Sequence, residues 1–289
     1  MTIHTTLWIL RLMLPISMAV QLLSHYGVIA WMAQYLDPVF QYMGLPGYSA
    51  IAFLTGAFVS TYAGLSVMLN ISITLRQATI LAVMICICHA LILESAILKK
   101  TGSSFWKMSI IRFIAAFISG IFLNFVLPVS CVSFATICDS EERALSSLLL
   151  DWCIGAMQMS LMVFGIIFAL MIIQRLMERF GMIEKIAKRL SPIMTFFGLP
   201  RRAAYMWVVG NILGISYGSA VMMDMEDNGL ITREEANDVN YHLIMNHSML
   251  EDTLVFASMG ISAFTILFTR ILFALITVWG RRLIIKAIG

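Results

Sequence analysis

Runs of about twenty apolar residues, the length a helix needs to cross a hydrocarbon core about 30 Å thick, occur at 7–28, 78–98, 108–128, 148–174, 239–257 and 262–280. They predict six spanning helices, of which the fifth is the most polar. Over 177–197 the pattern changes: Glu178, Arg179, Glu184, Lys185, Lys188 and Arg189 alternate at helical spacing with Met182, Ile183, Ile186 and Leu190. That is the pattern of a helix lying in the membrane interface, and 22–43 reads as its less charged copy. The stretches 47–70 and 201–224 are apolar but interrupted, by Gly56 and Gly64 in the first and by Gly210, Gly214 and Gly218 in the second. Such runs suit re-entrant hairpins or broken helices, whose irregular backbone survives at membrane depth only where it is buried or lines a watery cavity. A plain helix with glycines at packing contacts is the alternative.

This pattern occurs twice. Gly44-Leu45-Pro46 opens the first interrupted stretch and Gly198-Leu199-Pro200 the second, an offset of 154 (198 minus 44) that also pairs Gly27 with Gly181, Pro38 with Pro192, Gly56 with Gly210 and Gly64 with Gly218. Further on the offset becomes 158 (247 minus 89), pairing Thr74 with Thr232, His89 with His247, Glu94 with Asp252 and Arg112 with Arg270. Matched Pro, Gly, His, carboxylate and Arg are hard to obtain by accident in so apolar a chain, so 1–143 and 144–289 are read as two copies of one unit.

Charge sets the expected topology. Lys99, Lys100, Lys107, the basic run 175–202, Arg281, Arg282 and Lys286 can all lie on the cytoplasmic side if both interrupted stretches re-enter without crossing. Each copy then crosses three times. Because three is odd, the second copy enters from the opposite face, and both termini are cytoplasmic. The expected fold is an all-α polytopic membrane protein of two inverted repeats, each with three spanning helices, an interfacial helix and a hairpin.

Composition agrees with the pattern: a chain of 289 residues that is 60% hydrophobic and 12% charged is outside the range of soluble domains. The plasma (inner) membrane is its expected place. A net charge of +3, concentrated in a few loops, gives no nucleic-acid surface. The apolar run after Arg11 has no convincing cleavage site and reads as a retained helix. Five cysteines form neither a disulfide framework nor a zinc box: Cys86 and Cys88 face different ways on a helix, and Cys131 and Cys138 fall in a loop, their pairing left open.

The candidate chemistry is polar residues inside predicted spans. Asn246-His247-Ser248 and Glu251-Asp252-Thr253 form the densest such cluster, with His247 and Glu251 four apart and thus expected on one helical face. His89 and Glu94 are the first-copy counterparts. A charge at bilayer depth costs at least about 2.5–3.5 kcal/mol and so faces a partner or a wet site. Counting from the turn at 99–106, Glu94 and Arg112 lie at similar depths, about 12–14 Å in at 1.5 Å per residue, and Asp252 and Arg270 straddle 258–261 likewise. Each copy is therefore expected to hold an Arg–carboxylate pair near the midplane, either as a strut or as part of a site. In the hairpins, Thr55, Ser60, Thr61 and Tyr62 answer to Asn211, Ser216, Tyr217 and Ser219, where freed backbone groups can meet a solute or the side chains can repair the break. Thr232, with Glu235 three residues on, reads as a helix cap. No metal-ligand spacing is recognised, no cofactor is implied, and no nucleotide-binding loop, nucleophile elbow or HExxH run occurs; an enzyme is not expected.

Gly-Leu-Pro-Gly-Tyr at 44–48, Asn-His-Ser-x-x-Glu-Asp-Thr at 246–253 and the doubled hairpin-plus-helices plan together resemble the nucleoside-recognition or Gate-domain family of membrane proteins. That family includes spore maturation proteins and is related to the membrane part of ferrous-iron permeases and, remotely, to concentrative nucleoside transporters. The resemblance implies a secondary transporter for a small polar solute, nucleoside-like or a small organic anion, coupled to H⁺ or Na⁺, held between hairpin tips and the helices after them. A divalent-metal permease using His89, His247, Glu251 and Asp252, and a non-transporting membrane scaffold or assembly factor, are the competing readings. A homo-oligomer fits any of them.

Overall fold

A computed structural model describes residues 2–135 and 145–288. The boundary at 143 and Cys138 lie outside the described residues. Within them the chain is almost entirely helical. The first half runs through α1 (Thr2–His25), α2 (Val28–Phe40), α3 (Ser49–Phe58), α4 (Thr61–Met68), α5 (Leu75–Cys88), α6 (Leu91–Lys100) and α7 (Phe105–Val126). The second half repeats the order as α8 (Leu145–Arg179), α9 (Met182–Leu190), α10 (Ala204–Ile212), α11 (Ile215–Asp227), α12 (Arg233–Asn246), α13 (Met249–Ala257) and α14 (Ala263–Ile288). A two-stranded ribbon, β1 (Ile73–Thr74) against β2 (Ser133–Ala135), is the one element the apolar pattern does not announce.

Matched sequence positions adopt matched conformations. Gly27 and Gly181 are left-handed residues before α2 and α9, at φ 69° and 56°, and Gly44 and Gly198 are left-handed too, at 67° and 70°. Thr74 and Thr232 each cap a helix with a reciprocal capping box, to Gln77 and Glu235 respectively. Burial raises the Glu235 carboxyl's pKa, but the Thr232 backbone N–H and Arg202 outweigh it and hold the group below the usual carboxylate range. The short helices α2 and α9 bury Ile29 and Ala33, and Ile183 and Ala187, while the charged face of α9 is exposed. α9 is shorter than the expected 177–197, because α8 runs on to Arg179 and the chain tightens into a 3₁₀ turn at Ser191–Thr195.

The two interrupted stretches are hairpins, and their glycines explain how they fold. α3 turns at Val59 and Ser60 and packs back through α4; α10 turns at Leu213 and Gly214 and packs back through α11. A Cβ on Gly64 would lie 2.9 Å from the Cα of Gly56, and one on Gly218 would lie 2.9 Å from that of Gly210. Only glycine permits that approach. Both hairpins then rest on the next long helix, with Gly56 against Ile85 and Gly210 against Leu243. Arms of 8 to 13 residues reach only about 12–20 Å, well short of a hydrocarbon core.

Among the described residues, four apolar helical segments are long enough to cross a membrane: Leu75–Lys100, made of α5 and α6, then Phe105–Val126, Leu149–Arg179 and Ala263–Ala287. The expected span at 239–257 falls short because α12 is polar, carrying Asn240, His242 and Asn246 among its buried residues. α1 is a 24-residue apolar helix, Thr2–His25. The chain is nonetheless an all-α, polytopic membrane fold.

Candidate functional site

The centre of the molecule is made by two breaks that the hydropathy pattern hides. The expected helices 78–98 and 239–257 are not continuous. α5 stops at Cys88 and α6 begins at Leu91; α12 stops at Asn246 and α13 begins at Met249. His89 and His247 are extended at the breaks, with ψ 156° and 162°, and Ala90 and Ser248 follow in left-handed conformation, at φ 44° and 50°. A non-glycine residue there is strained by about 1–2 kcal/mol, so something must hold each break open.

Hydrogen bonds from two sides do so. The N–H of Ala90 donates to the carbonyl of Gly56 and that of Ser248 to the carbonyl of Gly210, each at 3.2 Å, tying each break to its own hairpin. Arg112 of α7 donates through Nε to Ile87 O (2.9 Å) and through Nη2 to His89 O (2.6 Å), and it meets Glu94 Oε2 at 2.7 Å. Arg270 of α14 does the same for the second break: Nε to Met245 O at 2.9 Å, Nη2 to His247 O, and Nη1 to Asp252 Oδ2 at 3.1 Å. Both guanidinium groups are wholly buried. The carbonyls freed where a helix ends are thus satisfied by a cation aligned with the helix dipole.

The breaks face each other. His89 Nε2 and His247 Nε2 are 3.2 Å apart, and Glu94 Oε1 lies 3.2 Å from the first and 3.1 Å from the second. His89, Glu94 and His247 are all buried, with ligand atoms within 4.8 Å of one another. Helical spacing on its own would put His247 beside Glu251. The break turns the two apart: His247 meets Glu94 of the first half, and Glu251 accepts a hydrogen bond from Tyr62 Oη at 2.9 Å. Thr61 donates to Asp252 at 3.3 Å. The tip of the first hairpin therefore sits against α13.

The remaining candidates divide. Ser60 caps α4 by accepting from the Ala63 N–H, a repair of the break. Thr55 is half-buried, and its carbonyl closes α3 by accepting from Val59. Trp207 Nε1 donates to His242 Nδ1 at 2.8 Å, and the Asn246 side-chain oxygen lies 3.2 Å from the same nitrogen. Asn211 Oδ1 and Ser219 Oγ are buried with no hydrogen-bond partner among the described residues. Ser216 and Tyr217 are exposed at the second hairpin's tip. Tyr217 and Glu251 line a cavity of about 280 Å³ with Gln174, Arg175 and Glu178 of α8, and roughly half of its wall is polar. A larger cavity, about 420 Å³ between α9, α10, α13 and α14, is almost wholly apolar and suits hydrocarbon. Sequence reasoning did not single out Gln174, which donates to Ile212 O at 3.2 Å and steadies the second tip, or Asn240, whose Nδ2 reaches Thr101 Oγ1 and Ser103 Oγ of the first half at 2.8 Å. Asn240 is one polar residue among several in α12, and Gln174 adjoins the basic run 175–202, so no pattern singles either out.

Comparison with known proteins bears on this plan. The model of a family described as nucleoside recognition covers residues 6–138, the segment that contains the first hairpin, the first break and Arg112. Residues 6–138 match the Gate family. Over 278 residues the chain is 29% identical to the uncharacterized membrane protein YvoD of Bacillus subtilis (strain 168), covering 92% of this chain and 87% of that protein. No solved structure matches it. The Gate match stops at 138 although the second half repeats the hairpin, the break and the buried arginine at matched positions. These observations carry a multi-pass membrane chain whose first half matches the Gate model.

Proposed function

We propose that this protein is a secondary transporter for a small polar solute, nucleoside-like or a small organic anion, working by alternating access between two inverted repeats in the plasma membrane with both termini cytoplasmic. One observation carries the reading: Glu251 bonds the first hairpin and faces a cavity shared with the second. It is held by Tyr62 at the tip of the first and lines the half-polar cavity with Tyr217 at the tip of the second. A solute seated there would touch both moving elements through one carboxylate. The cavity also offers Arg175, so a ligand with a donor at one end and an anionic or acceptor group at the other fits its chemistry. His89 and His247 are equivalent and in contact, as residues beside a two-fold axis between two copies would be; that is consistent with the arrangement that gives rocking motion a pivot.

Purified protein screened by thermal shift against nucleosides and small carboxylates tests the reading. A member of one class is expected to stabilise the wild type, and Glu251→Gln to weaken its binding about tenfold or more, the cost of losing a hydrogen bond to a charged group. Absence of any stabilising solute, or a Glu251→Gln protein that binds as well as the wild type, would contradict it.

A further inference from the structure

We infer that His89, Glu94 and His247 bind a divalent first-row transition-metal ion that joins the two halves of the chain. The tautomers come first. His89 Nδ1 faces the carbonyls of Cys86 (3.1 Å) and Ile85 (3.3 Å), and His247 Nδ1 faces that of Leu243 at 2.7 Å. A carbonyl oxygen only accepts, so each Nδ1 carries the ring hydrogen and each neutral imidazole presents a bare lone pair at Nε2. These two lone pairs converge at 3.2 Å on each other and at 3.0–3.2 Å on the carboxylate of Glu94. Were both rings neutral, three acceptors would face one another with no hydrogen between them, and burial removes the water that would intervene; either a proton or a metal ion must then fill the gap. A positive centre resolves the clash.

The geometry fits an ion. Metal–nitrogen and metal–oxygen bonds of about 2.0–2.2 Å in a tetrahedral site set ligand-to-ligand edges of about 3.3–3.6 Å, and the edges here, 3.0–3.2 Å, are a few tenths shorter. Imidazole with carboxylate suits zinc, cobalt, iron and their neighbours, while no thiol belongs to the cluster. The outer contacts are those of a built site: backbone carbonyls fix both rings, and Arg112 holds Glu94 Oε2 at 2.7 Å and so orients the carboxylate. Charge also allows a cation. Glu94, Glu251 and Asp252 gather around the breaks against Arg112 and Arg270, three negative groups to two positive. Three protein ligands leave a fourth position open.

This inference does not depend on the solute reading, and its test needs no transport. Full-length protein is purified with chelator, checked for a cooperative melt, and titrated with Co²⁺. One ion per chain with the intense visible bands of tetrahedral coordination is expected, displaced by Zn²⁺. Cys88→Ser retains those bands, and His247→Gln and His89→Gln lose them. Should the variants fail to fold, ¹⁵N-histidine spectra of the wild type decide: Zn²⁺ must move two Nε2 signals and leave their Nδ1 partners protonated. Cobalt bands that survive either histidine substitution overturn the site. So do Nε2 signals that ignore zinc, the behaviour expected if a shared proton fills the gap.

Discussion

At the scale of single residues the buried arginines do two jobs at once, and the cost of removing one follows. Arg112 satisfies two break carbonyls and neutralises Glu94. Arg112→Ala leaves all three buried without it, and breaking a buried pair by removing one partner costs about 3–5 kcal/mol. Lysine does not restore the wild type, because a single ammonium lacks the fork that reaches Ile87 O, His89 O and Glu94 together. Denaturation in detergent should place both Arg112→Ala and Arg112→Lys well below wild type, and Arg270→Lys likewise; a lysine variant as stable as the parent would show that the fork does not hold the break. These pairs were legible in the sequence, since helical rise fixes depth and Glu94 and Arg112 lie at similar counts from one turn. The contact of His247 with Glu94 was not, because it depends on a break between His247 and Glu251 that reverses their expected neighbourhood.

At the scale of elements, the hairpins and the broken helices were legible to different degrees, and side-chain size explains why. Glycine at 56, 64, 210 and 218 marks the close approach of the hairpin arms directly. Ala90 and Ser248 carry the left-handed turns of the broken helices without glycine or proline, so nothing in the apolar run 78–98 betrays its interruption. The glycine reading has a direct consequence. Gly64→Ala and Gly218→Ala each drive a methyl to 2.9 Å from a backbone carbon and should destabilise by about 1–3 kcal/mol, the usual penalty of overpacking. Gly165→Ala on α8 meets nothing within 4 Å and should leave the melting temperature unchanged or higher. If the three variants melt alike, the hairpin arms do not cross at their glycines.

At the scale of the molecule, the offsets of 154 and 158 found in the sequence reappear as shared structural roles: left-handed glycines, capping threonines, hairpin crossings and arginine-held breaks. Local roles repeat whatever the orientation of the copies, so they show the duplication without fixing its direction. The inverted direction proposed here rests on counting crossings and on the placement of positive loops. The second broken helix is not among the clear apolar spans, because it trades apolar surface for the buried Asn240, His242, Asn246 and His247.

The most direct test of that direction uses two equivalent, exposed residues beside the Gly-Leu-Pro turns, Tyr42 and Phe196, 154 positions apart. Tyr42→Cys and Phe196→Cys are made singly in a chain whose native cysteines are replaced, and each is labelled with a membrane-impermeant thiol reagent in right-side-out and in inverted vesicles. Inverted repeats put the two cysteines on opposite sides, so each is labelled in only one vesicle type, and not the same one. Labelling of both from the same side would mean that the halves are parallel copies, and the alternating-access mechanism built on their inversion would fall.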